Sequence, residues 1–122
     1  MENKNLIDLD HLGKYVGGDD ALRDEILAIF GDQAESLNQQ FSVEQSDDDW
    51  RDTAHALKGA SRGVGAWALG DLCEAAEQLV GELAGKQEKR AALLVSLRGQ
   101  VKETLACVRE LRGLVSPELK TA

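Results

Sequence analysis

Apolar residues return every three or four positions through four long stretches of this chain, and no other feature of the sequence restricts the fold as much. Burial of one face, rather than propensity, holds a short helix together. Four such stretches therefore need one another, and the expected architecture is all-α: an up-down antiparallel four-helix bundle with a short additional N-terminal helix. Composition agrees, since one proline and 4% aromatic residues leave few strand formers among many leucines and alanines. At 122 residues the length is that of one ordinary domain, able to bury a core without disulfide or metal.

The first stretch opens after Gly17-Gly18-Asp19-Asp20, where an aspartate can cap free amides, and carries Leu22, Ile26, Ile29, Phe30, Gln33, Leu37 and Phe41. The second begins at Ser46-Asp47-Asp48-Asp49, a capping hydroxyl followed by carboxylates that suit the positive end of a helix dipole. It turns Trp50, Ala54, Leu57, Ser61 and Val64 to one side. A third helix is predicted over 67–84, stopping near Gly85, and a fourth over 87–114, with Pro117 ending regular structure. Ahead of them, 7–16 is predicted to form a two-turn helix over one end of the bundle. A single domain over 1–122 is expected, ordered over about 7–115 with loose ends.

A formal net charge of −8 argues against nucleic acid as a partner, because such binding depends on Lys and Arg displacing counterions. Cys73 and Cys107 form no CxxC pair and read as small buried hydrophobes in a reducing compartment. A polar N-terminus and the lack of any long apolar run predict a soluble, cytoplasmic protein without a membrane association. No HExxH and no Glu-x-x-His pair is present, so no metal or cofactor of its own is expected.

On the second helix, Arg51, His55, Lys58 and Arg62 share the face opposite the apolar stripe. Gly59 lies one turn beyond His55, inside a helix, where glycine costs about 0.5–1 kcal/mol relative to alanine. A missing side chain there leaves room beside the imidazole for a tetrahedral group and for a close approach by a partner. Imidazole nitrogen is a competent nucleophile at neutral pH. A lysine ammonium one turn away offers a mobile point charge for anionic oxygens, with Arg51 and Arg62 as weaker aids. A plain solvated helix face is the competing reading, which Gly59 disfavours.

The segment His55-Ala56-Leu57-Lys58-Gly59-Ala60-Ser61-Arg62-Gly63-Val64-Gly65 resembles the H-x-L-K-G-x-x-x-x-x-G signature of histidine-containing phosphotransfer (HPt) domains, and the likeness extends over most of the chain. The resemblance implies a phosphorelay intermediate without kinase activity. His55 would accept a phosphoryl group from a receiver-domain aspartate and pass it to another receiver, with Lys58 offsetting the added charge and Gly59 giving access. It also places on Glu77 the hydrogen-bond acceptor that orients the imidazole, with Gln78 as neighbouring fallback. Receiver domains of response regulators and a hybrid sensor histidine kinase are the implied partners, the receiver supplying the divalent metal. Arg62 and Gly63 depart from the commonest family pattern, and Gly63 with Gly65 is expected to loosen the helix end.

Around His55, Arg51, Arg62, Leu12, Tyr15, Val16 and Leu22 are expected to rim a docking surface on a monomer. His11 lacks a neighbouring Lys-Gly pair and reads as a surface or packing residue. A sensor kinase dimerisation helix would usually follow its histidine with an acidic residue and a proline, whereas Ala56 follows here. The remaining alternative is a non-catalytic helical module that docks receivers without phosphorylation; the His55 and Lys58 pair weighs against it.

Overall fold

In the computed structural model, which describes residues 6–113, three helices start where short polar side chains cap them. Helix α1 (Leu9–Val16) begins with Asp8 Oδ1 accepting the His11 N–H at 3.1 Å and ends at Gly17, φ 58°. In α2 (Asp20–Gln40) the cap is Asp19, which accepts the Leu22 N–H at 3.0 Å; in α3 (Asp47–Gly63) it is Ser46, whose Oγ accepts the Asp49 N–H at 3.1 Å. Helices α4 (Trp67–Glu77) and α5 (Lys86–Leu111) have no side-chain cap. The described residues hold five helices and no strand.

Helix α3 packs on α2 and α4, and α5 closes the ring by packing on the same two, while α1 lies on α2. Short connections at 41–46, 64–66 and 78–85 make sequential neighbours antiparallel. Inside lie Leu27, Phe30 and Ala34 of α2, Trp50, Ala54 and Leu57 of α3, Leu69, Cys73 and Ala76 of α4, and Leu94, Leu97 and Val101 of α5. Cys107 is buried too. Burial pushes the Cys73 thiol up to about 12, with the charge of Glu77 adding to the effect. Among the described residues no helix is long and apolar enough to cross a membrane.

Element boundaries differ from the periodic reading in two places. The third bundle helix ends at Glu77 rather than near residue 84, and Gly85 (φ 66°) caps the start of α5 instead of closing α4. Leu79 and Val80 still pack on the core, but from irregular backbone that turns at Gly81, φ 77°. The fourth helix runs from Lys86 to Leu111, and the expected end at Leu114, like both loose termini, lies outside the described residues. Within α2, Ile29 is 55% exposed and Gln33 is exposed, so the buried stripe is carried by Leu27, Phe30 and Ala34.

A buried arginine holds the end of the bundle where α3 begins. Arg90, 1% exposed, lies 4.5 Å over the Trp50 ring and donates to the carbonyls of Leu79 and Gln45, both at 2.9 Å. Its remaining nitrogen meets Asp47 Oδ1 at 2.7 Å, which also takes Lys86 Nζ at 2.9 Å, while Asp47 Oδ2 accepts the Gly81 N–H at 2.8 Å. The hydrogen bond from Lys86, then that from the Gly81 amide, hold the Asp47 carboxyl below the usual carboxylate range. Two connections and the first turn of α3 are thereby tied to one side chain.

At the opposite end of α3, Gly65 does not loosen the helix as expected. It sits at φ 80°, its carbonyl accepts the Asp8 N–H at 3.0 Å, and a Cβ there would stand 2.8 Å from Asp8 Cβ. Asp8 also accepts from Trp67 Nε1 at 2.9 Å, a bond that lowers its pKa. The entry to α1 is thus fastened to the α3–α4 turn.

Candidate functional site

Because α3 turns its apolar stripe inward, the face carrying Arg51, His55, Lys58 and Arg62 is left along the seam with antiparallel α4. The seam register is visible in its ion pairs: Arg62 meets Asp71 and Glu74, and Lys58 meets Glu77. His55 joins the same carboxylate, its Nδ1 lying 2.7 Å from Glu77 Oε2. Its side chain is 72% exposed, whereas that of Glu77 is only 12% exposed.

Burial alone would raise the Glu77 pKa, but hydrogen bonds from Lys58 and then His55 outweigh it and hold the carboxyl below its ordinary value. An ionised carboxylate can only accept, so the 2.7 Å contact requires the proton to sit on His55 Nδ1. In the neutral ring Nε2 then keeps its lone pair on the open side of an exposed imidazole. Such an arrangement supplies a held nucleophilic nitrogen with a fixed anion behind the ring.

The cations expected to surround His55 are all paired within the chain. Lys58 Nζ is 2.6 Å from Glu77 Oε1 with its side chain 19% exposed, and Arg51 is 2.7 Å from Asp48. Arg62 is drawn away onto α4, lying so closely over Gly70 that a Cβ there would be 3.0 Å from Arg62 Cγ. Gly59 is exposed, with nothing within 4 Å of where a Cβ would stand. Its surface is open beside the imidazole.

Two of the expected docking residues are not on the surface. Leu12 and Val16 are 1% and 7% exposed because they are the face by which α1 joins the core, and an amphipathic two-turn helix has no second apolar face to offer. Tyr15 and Leu22 are exposed. His11 packs edge-on against Tyr15 and Trp67 at the α1 end, ring centroids 5.1 and 4.8 Å away. Among the described residues no three His, Cys, Asp or Glu side chains are grouped to hold a metal ion.

Sequence reasoning passed over Asp8 and Arg90, whose contacts join distant segments, and placed Trp50 only as a core residue. One local signal for Trp50 was its indole N–H, which must find an acceptor when buried. That acceptor is the Ala76 carbonyl at 2.7 Å.

Residues 21–112, from the first turn of α2 to just beyond α5, match the family model of the Hpt domain. No curated protein and no solved structure matches the chain.

Proposed function

This chain belongs to the Hpt domain family, and we propose that His55 is the residue on which it carries the phosphoryl group. Members of the family are phosphotransfer intermediates of phosphorelays rather than kinases, and they interact with receiver domains. We read the chain as one such module, taking phosphate from a receiver aspartate and giving it to a second receiver. The observation that carries the assignment is the pairing of His55 Nδ1 with the ionised Glu77 carboxylate, which leaves Nε2 to attack.

In the proposed step the Nε2 lone pair attacks the phosphorus of the aspartyl phosphate and forms an N–P bond. The P–O bond to the aspartate breaks and the carboxylate leaves with the electron pair. The ring gains positive charge while Nδ1 keeps its proton, and Glu77 lies where that charge develops. Three phosphoryl oxygens at Nε2 would compete with Glu77 for Lys58, which offsets their negative charge. The divalent metal belongs to the receiver, and this chain is proposed to need no cofactor of its own.

Loading the protein from a labelled phospho-receiver tests the reading. The label is expected to be acid-labile and alkali-stable, with a phosphorus–nitrogen coupling by NMR to His55 Nε2. Label that survives acid, or coupling at His11, would overturn it.

A further inference from the structure

We propose that Trp50, through its bond to the Ala76 carbonyl, is a positioning residue for the phosphotransfer site: it fixes the end of α4 so that Glu77 meets His55. The inference rests on the reading of Glu77 as the group that orients His55. The carbonyl that Trp50 Nε1 holds at 2.7 Å belongs to the peptide unit joining Ala76 to Glu77, so the bond acts on the backbone that bears the carboxylate.

Glu77 is the last residue of α4, and a helix end lacks the next turn that would satisfy its carbonyls and fix its direction. Gln78 and Leu79 take only the tighter bonds back to Ala75 and Ala76, at 3.2 and 3.0 Å. Left to those contacts, the last turn would fray, and a frayed Glu77 would not hold both Lys58 and His55. The Trp50 indole meets that turn from the core side. It is itself fully buried, edge-on to Phe41 at 5.1 Å, and covered on a face by the Arg90 guanidinium at 4.5 Å.

Trp50 and His55 are five residues apart on α3, so the same helix supplies the nucleophile and the group that sets its orienting carboxylate. At the surface, Arg62 pairs with Glu74, one turn before Glu77 in α4. The two turns leading to the carboxylate are therefore attached to α3, one from the core and one at the surface, and the buried attachment is the less sensitive to water and salt.

Trp50→Phe removes the N–H together with the indole's five-membered ring and leaves a phenyl ring in the core. Nitrogen NMR of His55 across a pH titration is the decisive reading, since it reports which ring nitrogen carries the proton. Unsubstituted protein is expected to show predominantly the Nδ1–H form of neutral His55. Trp50→Phe is expected to move the spectrum toward mixed tautomers and to slow transfer from a phospho-receiver about three- to tenfold, the factor for loss of one positioning hydrogen bond. Val101→Ala, destabilised at a core position of α5, should leave the His55 spectrum unchanged. If Trp50→Phe does not fold, a benzothienylalanine at position 50 replaces the N–H by sulfur with the ring shape kept. An unchanged His55 spectrum and transfer rate in the Trp50 variant overturn the inference. Mixed tautomers already in the unsubstituted protein overturn instead the orienting role of Glu77, and this inference with it.

Discussion

At the scale of single residues the site is a shared carboxylate. Glu77 serves Lys58 through one oxygen and His55 through the other, so removing either partner changes what the remaining one feels. Lys58→Ala is expected to slow phosphoryl transfer about tenfold, the worth of one charge-assisted contact, with the helical circular dichroism spectrum unchanged. Equal rates would remove Lys58 from the site. Glu77 also gives a pH dependence of definite sign. Its folded pKa lies below the ordinary 4.5, so its stabilising contribution is complete above that value and disappears as pH falls through the lower folded one. Denaturant titrations between pH 6 and 3 should therefore show Glu77→Gln losing less stability than the unsubstituted chain below pH 4.5. Parallel curves would contradict the assignment. For Gly59, with open space where a Cβ would stand, alanine should stabilise the free protein by about 0.5–1 kcal/mol while slowing transfer. Stabilisation without slower transfer would show that partners do not approach there.

At the scale of elements, two attachments fix α3 at its ends. Arg90→Met should cost about 1–3 kcal/mol in chemical denaturation, because the carbonyls of Leu79 and Gln45 lose a charged donor while Asp47, partly open to water, keeps Lys86. Gly65→Ala should cost about 1–3 kcal/mol, since a Cβ would need a left-handed backbone and the space of Asp8. Values near zero for either would mean that the ends are not held as described. The helices themselves were legible because apolar spacing and the caps at Asp19 and Ser46 act locally. The end of α4 was not, because Leu79, Val80 and Leu83 continue the apolar period while the backbone turns away at Gly81 toward Asp47. Arg90 was also hidden: its charge marks it for the surface, and only the gathering of Asp47 and two loops makes its burial tolerable. Leu12 and Val16 misled in the other direction, since a short helix near a reactive face can be there to close the core.

For the whole molecule, the bundle provides a rigid seam between α3 and α4 and leaves one imidazole standing out from it. The motif His55 to Gly65 was readable as a signature, and the family model extends that likeness over residues 21–112. The resemblance put the orienting acceptor on Glu77 with Gln78 as fallback, and in the structure Glu77 meets His55 while Arg62 takes Glu74, α4 returning along α3 from the turn at 64–66 where Gly65 meets Asp8. The account stands or falls on His55 as the relay nucleophile. Transfer of labelled phosphate from a phosphorylated receiver domain to the chain, beside His55→Gln of matching helical content, is the direct measurement. The unsubstituted chain should take up label and His55→Gln none. Equal labelling of the two would contradict the account.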